Sequence, residues 1–404
     1  VSTFKLAWRN IWRNRRRTVV TIAAMSIAMI ATINYSGLMD GYVHGMERNI
    51  LDFAFGDIQI HAPGYRDKPS LYKRIKNPEE LLKKLDAAKL PGSARLLAAG
   101  LGALKETSAG VMLIGLDVSR DARVSKIPGQ VQRGEWLSDE DPHGVVLGRR
   151  LARTLNANPG DELIILGQAT DGSLANDLYI VRGVLRGVSD MTDRIGVFMQ
   201  EKTFRELMVM PQGAHQIVVR KPEGADLDAA HATVSSLAPD LDVQTWRQLN
   251  PTLASMVDNV ASVGMVFMSI VYIAIALVVL NAMLMAVFER VREFGILKAL
   301  GTSPSSVLKL IYTESAIQTG ISIVCGILFS IPLIIYLTNT GVYLGSEEGL
   351  AVMGLAWDPN MRALFTVQSF TRPIIMFIVI VSLAILYPAL KAAMIRPVRA
   401  MHHR

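Results

Sequence analysis

Few residues in this chain have the type and spacing to do chemistry, and each has a plain structural alternative. His44, His61, His143, His215 and His231 are scattered, and His402 and His403 stand at the C-terminal end. No His-Glu-x-x-His, no Cys/His cluster and no G-x-x-x-x-G-K-[ST] phosphate loop occurs, so no residue is assigned to a metal and the histidines read as surface residues. Asp139-Glu140-Asp141 before Pro142 has the chemistry to bind calcium but reads more simply as a solvated loop. Nothing of the G-x-S-x-G kind supports a serine nucleophile. Glu314 is a carboxylate near the start of an apolar segment, where an ionisable side chain is functional by default. Its alternative is a headgroup-level residue paired with Lys309 or with the charged stretch before it. Asn34, Tyr35 and Ser36, near the end of the first apolar run, fit a substrate contact and a helix–helix hydrogen bond equally well. The chain is therefore read as non-enzymatic.

The strongest pattern is a connector, Glu289-Arg290-Val291-Arg292-Glu293-Phe294-Gly295-Ile296-Leu297-Lys298-Ala299-Leu300-Gly301. It is helix-prone, sets Val291, Phe294, Ile296, Leu297 and Leu300 among charges, and ends at Gly301 before Ser303-Pro304. Such a helix can lie on lipid or dock to a soluble protein.

The elements that must position it are membrane spans. Half the residues are hydrophobic (50%) and only 19% are charged. Four runs meet the criterion of about 20 mostly apolar residues: 18–38, 260–288, 311–337 and 373–393. Lys5, Arg9, Arg13, Arg15, Arg16 and Arg17 precede the first run. Arg290, Arg292, Lys298 and Lys309 lie between the second and third, and Lys391, Arg396, Arg399 and Arg404 close the chain. The positive-inside rule then places both termini and the 289–310 connector in the cytoplasm, with 39–256 and the 338–372 loop outside. The net charge of +7 is thus topology rather than a nucleic-acid footprint. Residues 1–17 mix Phe4, Leu6, Trp8, Ile11 and Trp12 with basic residues and read as an interfacial helix ahead of an uncleaved anchor at 18–38. The second run stays helical from Leu253 through Phe288, roughly 50 Å at 1.5 Å per residue against a hydrocarbon core of about 30 Å. Residues 257–288 therefore read as a stalk plus a span, with 394–404 a cytoplasmic tail. Cys325 is the one cysteine, so no disulfide within the chain holds the outer domain together.

That outer domain reads as α/β. A strand at 57–62 leads to a helix from Pro78 to about Lys89, with Asn77 as N-cap and Glu80 completing a capping box. A strand follows at 94–106. The order recurs as a strand at 215–220, a helix at 226–237 and a strand at 241–246, which predicts a split ferredoxin-like sheet. Residues from about 110 to 205 read as an inserted, mostly-β subdomain. Its expected elements are strands at 111–116, 162–166, 178–185 and 195–199 and a helix at 148–155.

The connector, Glu314-Ser315 with Gly320 and Gly326, and the closing Tyr387-Pro388-Ala389-x-Lys391-Ala392-Ala393-x-Ile395-Arg396-Pro397-Val398 resemble the FtsX-like, MacB-type permeases of ABC transporters. Val146-Leu147-Gly148-x-x-Leu151-Ala152 with Pro159-Gly160-Asp161 resembles the external domain of the lipoprotein-releasing permeases LolC and LolE. The resemblance covers nearly the whole chain. It implies a four-span subunit of a bacterial inner-membrane dimer, made with a second copy or a paralogue. The dimer would be served by a separate cytoplasmic ATPase that binds ATP and magnesium, with no cofactor on this chain. Glu289, Arg290, Arg292, Glu293, Phe294, Gly295, Ile296, Leu297, Lys298, Leu300 and Gly301 would couple to that ATPase. The implied activity is extraction of lipoproteins from the membrane and hand-over to a periplasmic chaperone. The alternatives are MacB-like mechanotransmissive efflux and FtsX-like regulation of a cell-wall hydrolase. By position, Met29, Ile33, Met39, Val263, Val266, Phe267 and Ile270 are expected to line an acyl-chain cavity.

Overall fold

The computed structural model describes residues 3–343 and 360–394. The acidic residues Glu347, Glu348 and Asp358 and the closing Ile395-Arg396-Pro397-Val398 lie outside the described residues. Among the described residues, 3–44, 258–343 and 360–394 form one compact unit and 45–257 another.

Helices α1 (Thr3–Arg13) and α2 (Arg15–Ile50) open the chain. Helix α2 outruns the apolar stretch 18–38 and passes into a five-residue π-turn, Leu51–Phe55, closed by Gly56 at a φ of 68° that a side chain would strain. The second unit then follows as β1 (Ile58–His61), α3 (Pro78–Ala87), β2 (Gly92–Leu104), β3 (Thr107–Leu116), α4 (Val118–Asp121), β4 (Val131–Gly134), β5 (Gly144–Leu147) and α5 (Arg149–Leu155). It continues with β6 (Glu162–Gln168), β7 (Leu174–Leu185), α6 (Asp190–Ile195), β8 (Gly196–Gln200), α7 (Glu201–Leu207), β9 (Gln216–Val219), α8 (Leu227–Leu237), β10 (Asp242–Thr245) and α9 (Trp246–Leu249). Helices α10 (Pro251–Glu289), α11 (Val291–Ala299) and α12 (Pro304–Thr340), the short pair β11 (Val342–Tyr343) and β12 (Asn360–Met361), and α13 (Val367–Ala393) complete the described chain.

In the α/β unit, β10, β1, β9 and β2 pair in that order, all antiparallel, with α3 joining β1 to β2 and α8 joining β9 to β10. Beyond β2 the pairings run β2–β3–β8–β5–β7–β6 and return to β2, closing a ring of six strands. Period-two alternation sorts its side chains: Val145, Leu147, Val197 and Met199 join the main core, while Val146 and Phe198 join a second cluster with Leu116 and Leu185. The boundary expected at about 110 falls inside β3, because β2 and β3 belong to the ring along their whole paired length. Strands β4 and β5, of four residues each, were not expected.

The capping box at Asn77 does not form: its side chain makes no cap hydrogen bond, and Glu80 pairs with Lys84 at 2.7 Å. With φ −119° and ψ 65°, Asn77 lacks the extended backbone that aims a cap at the next amides, and Pro78 presets the first turn instead. A capping box does form at Thr245 and Gln248, at the start of α9.

In the helical unit, α2, α10, α12 and α13 are long and apolar enough to cross a membrane. Helices α2 and α12 meet through small residues, the usual solution where lipid offers no hydrophobic gain on packing. A Cβ at Gly326 would stand 2.4 Å from Met29 Cγ, and Ser322 Oγ donates to the Ile22 carbonyl at 3.3 Å. The Thr319 and Thr338 hydroxyls donate to the carbonyl four residues earlier, and Ser322 shares its one proton between Ile22 and the Gln318 carbonyl of its own helix at 2.9 Å. Near the other end of α2, Leu364 N–H donates to the Gly37 carbonyl at 2.8 Å, and a Cβ at Gly41 would lie 2.0 Å from the Arg362 carbonyl oxygen. Asp40 accepts from Ser369 Oγ at 3.1 Å, so the segment leading into α13 is seated on α2.

Candidate functional site

The connector is a helix–turn–helix at one end of the spans. Helix α10 stops at Glu289, Arg290 takes φ −110° and ψ 11°, and α11 begins at Val291. Gly301, at φ 92°, supplies the left-handed turn after α11. Ser303 then caps α12 by accepting from Ser306 N–H, with Pro304 at the first helical position.

Arg290 is the centre of this region. Its Nη1 donates to both Glu314 oxygens, at 3.0 and 2.9 Å, and its Nε to Glu293 at 3.1 Å. The guanidinium also lies 5.2 Å from the Phe294 ring centroid. Glu314 accepts a further bond from Asn10 Nδ2 at 2.7 Å, and Glu293 one from Arg13 at 2.6 Å. Arg17 pairs with Glu289. Burial alone would lower the Arg290 pKa, but the Glu314 and Glu293 carboxylates outweigh it and hold the guanidinium more firmly charged. Glu293 is likewise raised by burial and lowered more by its bonds from Arg13 and Arg290, ending below the ordinary carboxylate value. These groups hold position.

The expected coupling residues divide between two faces. Phe294 (1% exposed) and Gly295 are buried, Phe294 in one core with Val287, Val307 and Leu310. Arg292, Ile296, Leu297, Leu300 (79% exposed) and Gly301 lie open. Lys298 Nζ donates to the Ala393 carbonyl at 2.8 Å, tying α11 to the end of α13. Of the two partners expected for Glu314, the structure selects the connector rather than Lys309. Sequence reasoning missed Asn10, Arg13 and Arg17 as partners: Asn10 and Arg13 lie on α1 and Arg17 on α2, so no single helical period joins them.

The seven residues expected to line a cavity do not share a surface. Met29 and Ile33 are fully buried in the unit's own core, because Gly326 leaves room for Met29 against α12. Met39 packs by Gly264, and Phe267 stacks on Tyr35 at 5.1 Å. Val263, Val266 and Ile270 are exposed on α10.

The histidines also need correction. His61 and His215 are buried and flank Tyr65, with ring centroids 5.6 and 5.7 Å away. Burial is the main cause that brings each down to a pKa of about 4. His215 Nδ1 accepts from Leu97 N–H at 2.9 Å, which leaves the proton on Nε2, 3.3 Å from the Leu71 carbonyl. No cluster of metal-ligating type occurs among the described residues.

Comparison with known proteins bears on this arrangement. The family model described as FtsX-like permease C-terminal matches residues 265–397, and that described as MacB-like periplasmic core domain matches residues 18–237. The lipoprotein-releasing system transmembrane protein LolC of Neisseria meningitidis is 22% identical, over 96% of this chain and 94% of its own. The pyoverdine export ATP-binding/permease protein PvdT of Pseudomonas syringae pv. tomato is 23% identical over 82% of this chain, which spans about half (52%) of that relative. Among solved structures, the periplasmic region of MacB from Actinobacillus actinomycetemcomitans aligns with 52% of this chain and 97% of its own, at 15% identity and a TM-score of 0.38. With four helices of spanning length and an α/β unit matched by the periplasmic-core model, this is a multi-pass membrane protein with an extracytoplasmic domain. The chain belongs to the FtsX-like, MacB-type family of ABC transporter permeases.

Proposed function

We propose that this chain is the permease subunit of a system that extracts lipidated proteins from the inner membrane, driven by ATP hydrolysed on an ATPase partner of the kind the family implies. The observation that carries this reading is the end-to-end match to LolC, over 96% of this chain and 94% of the relative. Each buried methylene of an acyl anchor contributes about 0.8 kcal/mol, so cargo with several chains does not leave unaided. The connector and both termini lie in the cytoplasm in this reading, and the exposed Ile296, Leu297 and Leu300 of α11 seat on the ATPase. Arg290 and Phe294 hold that face from behind. The exposed Val263, Val266, Phe267 and Ile270 of α10 form one wall of an acyl-chain cavity whose other wall is a second permease copy or paralogue. The outer domain combines a split ferredoxin-like half with the six-stranded ring as its insertion, and the antiparallel order β10-β1-β9-β2 supports the first part. It would pass cargo to a periplasmic lipoprotein chaperone.

The test is mass spectrometry of what co-purifies with the permease and its ATPase in lipid nanodiscs without ATP. Acylated proteins that disappear on adding ATP are the expected result. Recovery of a periplasmic adaptor with a small exported molecule would instead favour export, the reading that the PvdT match supports.

A further inference from the structure

The N-terminal helix takes part in the connector's polar network rather than merely preceding it. Helix α1 buries Ala7 and Ile11, and Asn10 reaches Glu314 of α12 at 2.7 Å. Thr18 Oγ1, in the first turn of α2, donates to the Ile11 carbonyl at 2.6 Å and fixes the joint between the two helices. Helix α1 also exposes Phe4, Leu6, Trp8 and Trp12, with Phe4, Trp8 and Trp12 at a spacing of four that makes one aromatic stripe. Glu314 is therefore shared: one carboxylate receives the Asn10 amide of α1 and, on both oxygens, the Arg290 Nη1. A carboxylate holding three hydrogen bonds from two elements fixes the distance between them better than any one bond alone, because loss of one contact leaves the others misaligned.

We propose that Arg290 and Glu314 are positioning residues that lock α1 to α11, making the N-terminal helix a moving part of the coupling machinery rather than a passive anchor. A displacement applied to the exposed face of α11 is carried through Arg290 to Glu314 and through Asn10 to α1. Its exposed aromatic side then shifts against the lipid headgroups. The inference rests on the coupling role proposed above for α11, but the lock itself can be read without any ATPase.

The experiment uses the full chain in lipid nanodiscs with Cys325 replaced by serine and spin labels at Arg9 and Ala299, both exposed. Pulsed electron–electron distance measurements report the α1–α11 separation. The expected result is one narrow distribution, broadened at least twofold by Glu314→Ala or Arg290→Ala. Glu314→Gln, which keeps an acceptor for both partners, should restore it. Asn10→Ala should broaden it too, and add nothing to Glu314→Ala in the double variant, since both act through one shared group. Unchanged width in Glu314→Ala, or additive broadening by Asn10→Ala, would overturn the lock. Stimulation of the ATPase, measured separately, tests the coupling role of α11 itself, so failure of one does not imitate failure of the other.

Discussion

The two units treat buried polar groups in opposite ways. The α/β unit buries charge throughout: Arg95 pairs bidentately with Asp121 at 2.8 and 3.1 Å, and Arg220 sits between Asp52 and Asp57. It also buries two neutral histidines. In the helical unit, the buried groups along the spans are mainly hydroxyls, several of which close on their own backbone, and the buried arginine stands at one end, in the connector. A sheet-based core in water can surround an ion pair with backbone donors, whereas a helix facing lipid has no spare donors to offer. The contrast predicts that pH acts on one unit and backbone spacing on the other.

The largest effect expected is acid loss of the α/β unit. His61 and His215 fall from the ordinary 6.5 to about 4 on folding, so their contribution is fully present above pH 6.5 and is lost as pH falls through 4. The loss is on the order of 3 kcal/mol per histidine. Burial raises Asp57, which acts in the opposite sense: its carboxyl favours the fold when protonated, an effect lost as pH rises from 3.8 through its raised value. Hydrogen exchange of β2 and β9 peptides between pH 7 and 4 reads the sum, and His215→Asn should flatten it. Exchange in α12 and α13 should change little over the same range, and equal acid sensitivity there would break the contrast.

Next comes Arg220→Ala, which takes the arginine from buried Asp57 and leaves buried Asp52 with Lys126 at 2.9 Å, and it should cost about 3 kcal/mol by thermal unfolding. Gly41→Ala should cost about 1–3 kcal/mol, because the new methyl meets the Arg362 backbone oxygen and not a movable side chain. The smallest change in stability is expected for Leu300→Asp, within about 0.5 kcal/mol. That variant should nevertheless abolish stimulation of the ATPase. Were it to unfold the chain instead, the division of α11 into a buried and an open face would be wrong.

Much of this was legible in the sequence where a period repeats for long enough. The four spans, the connector and the β-α-β pairs each carry such a signal, and the six strands and helices outside the insertion fall within a few residues of their expected places. Strands β4 and β5 carry no period-two alternation: three of the four β4 residues are exposed and all four of β5 are buried. The Asn10–Glu314 bond joins residues 304 positions apart, so no local pattern announces it. Met29 was expected to face a cavity from its position in the first span; the room that Gly326 leaves on another helix is what lets it pack inward.

Strand β2 has a consequence for how such domains exchange parts. Its first residues pair with β9 and its last with β6, while β3 runs beside it from Arg95 to Leu104. The inserted half is therefore not a cassette that can be lifted out at its sequence boundaries. A chimera cut at 110 and 205 would remove one wall of the ring from the donor and leave an unmatched strand in the host. The transferable segment begins within β2, and a working hybrid must take both strands of that hairpin from the same parent.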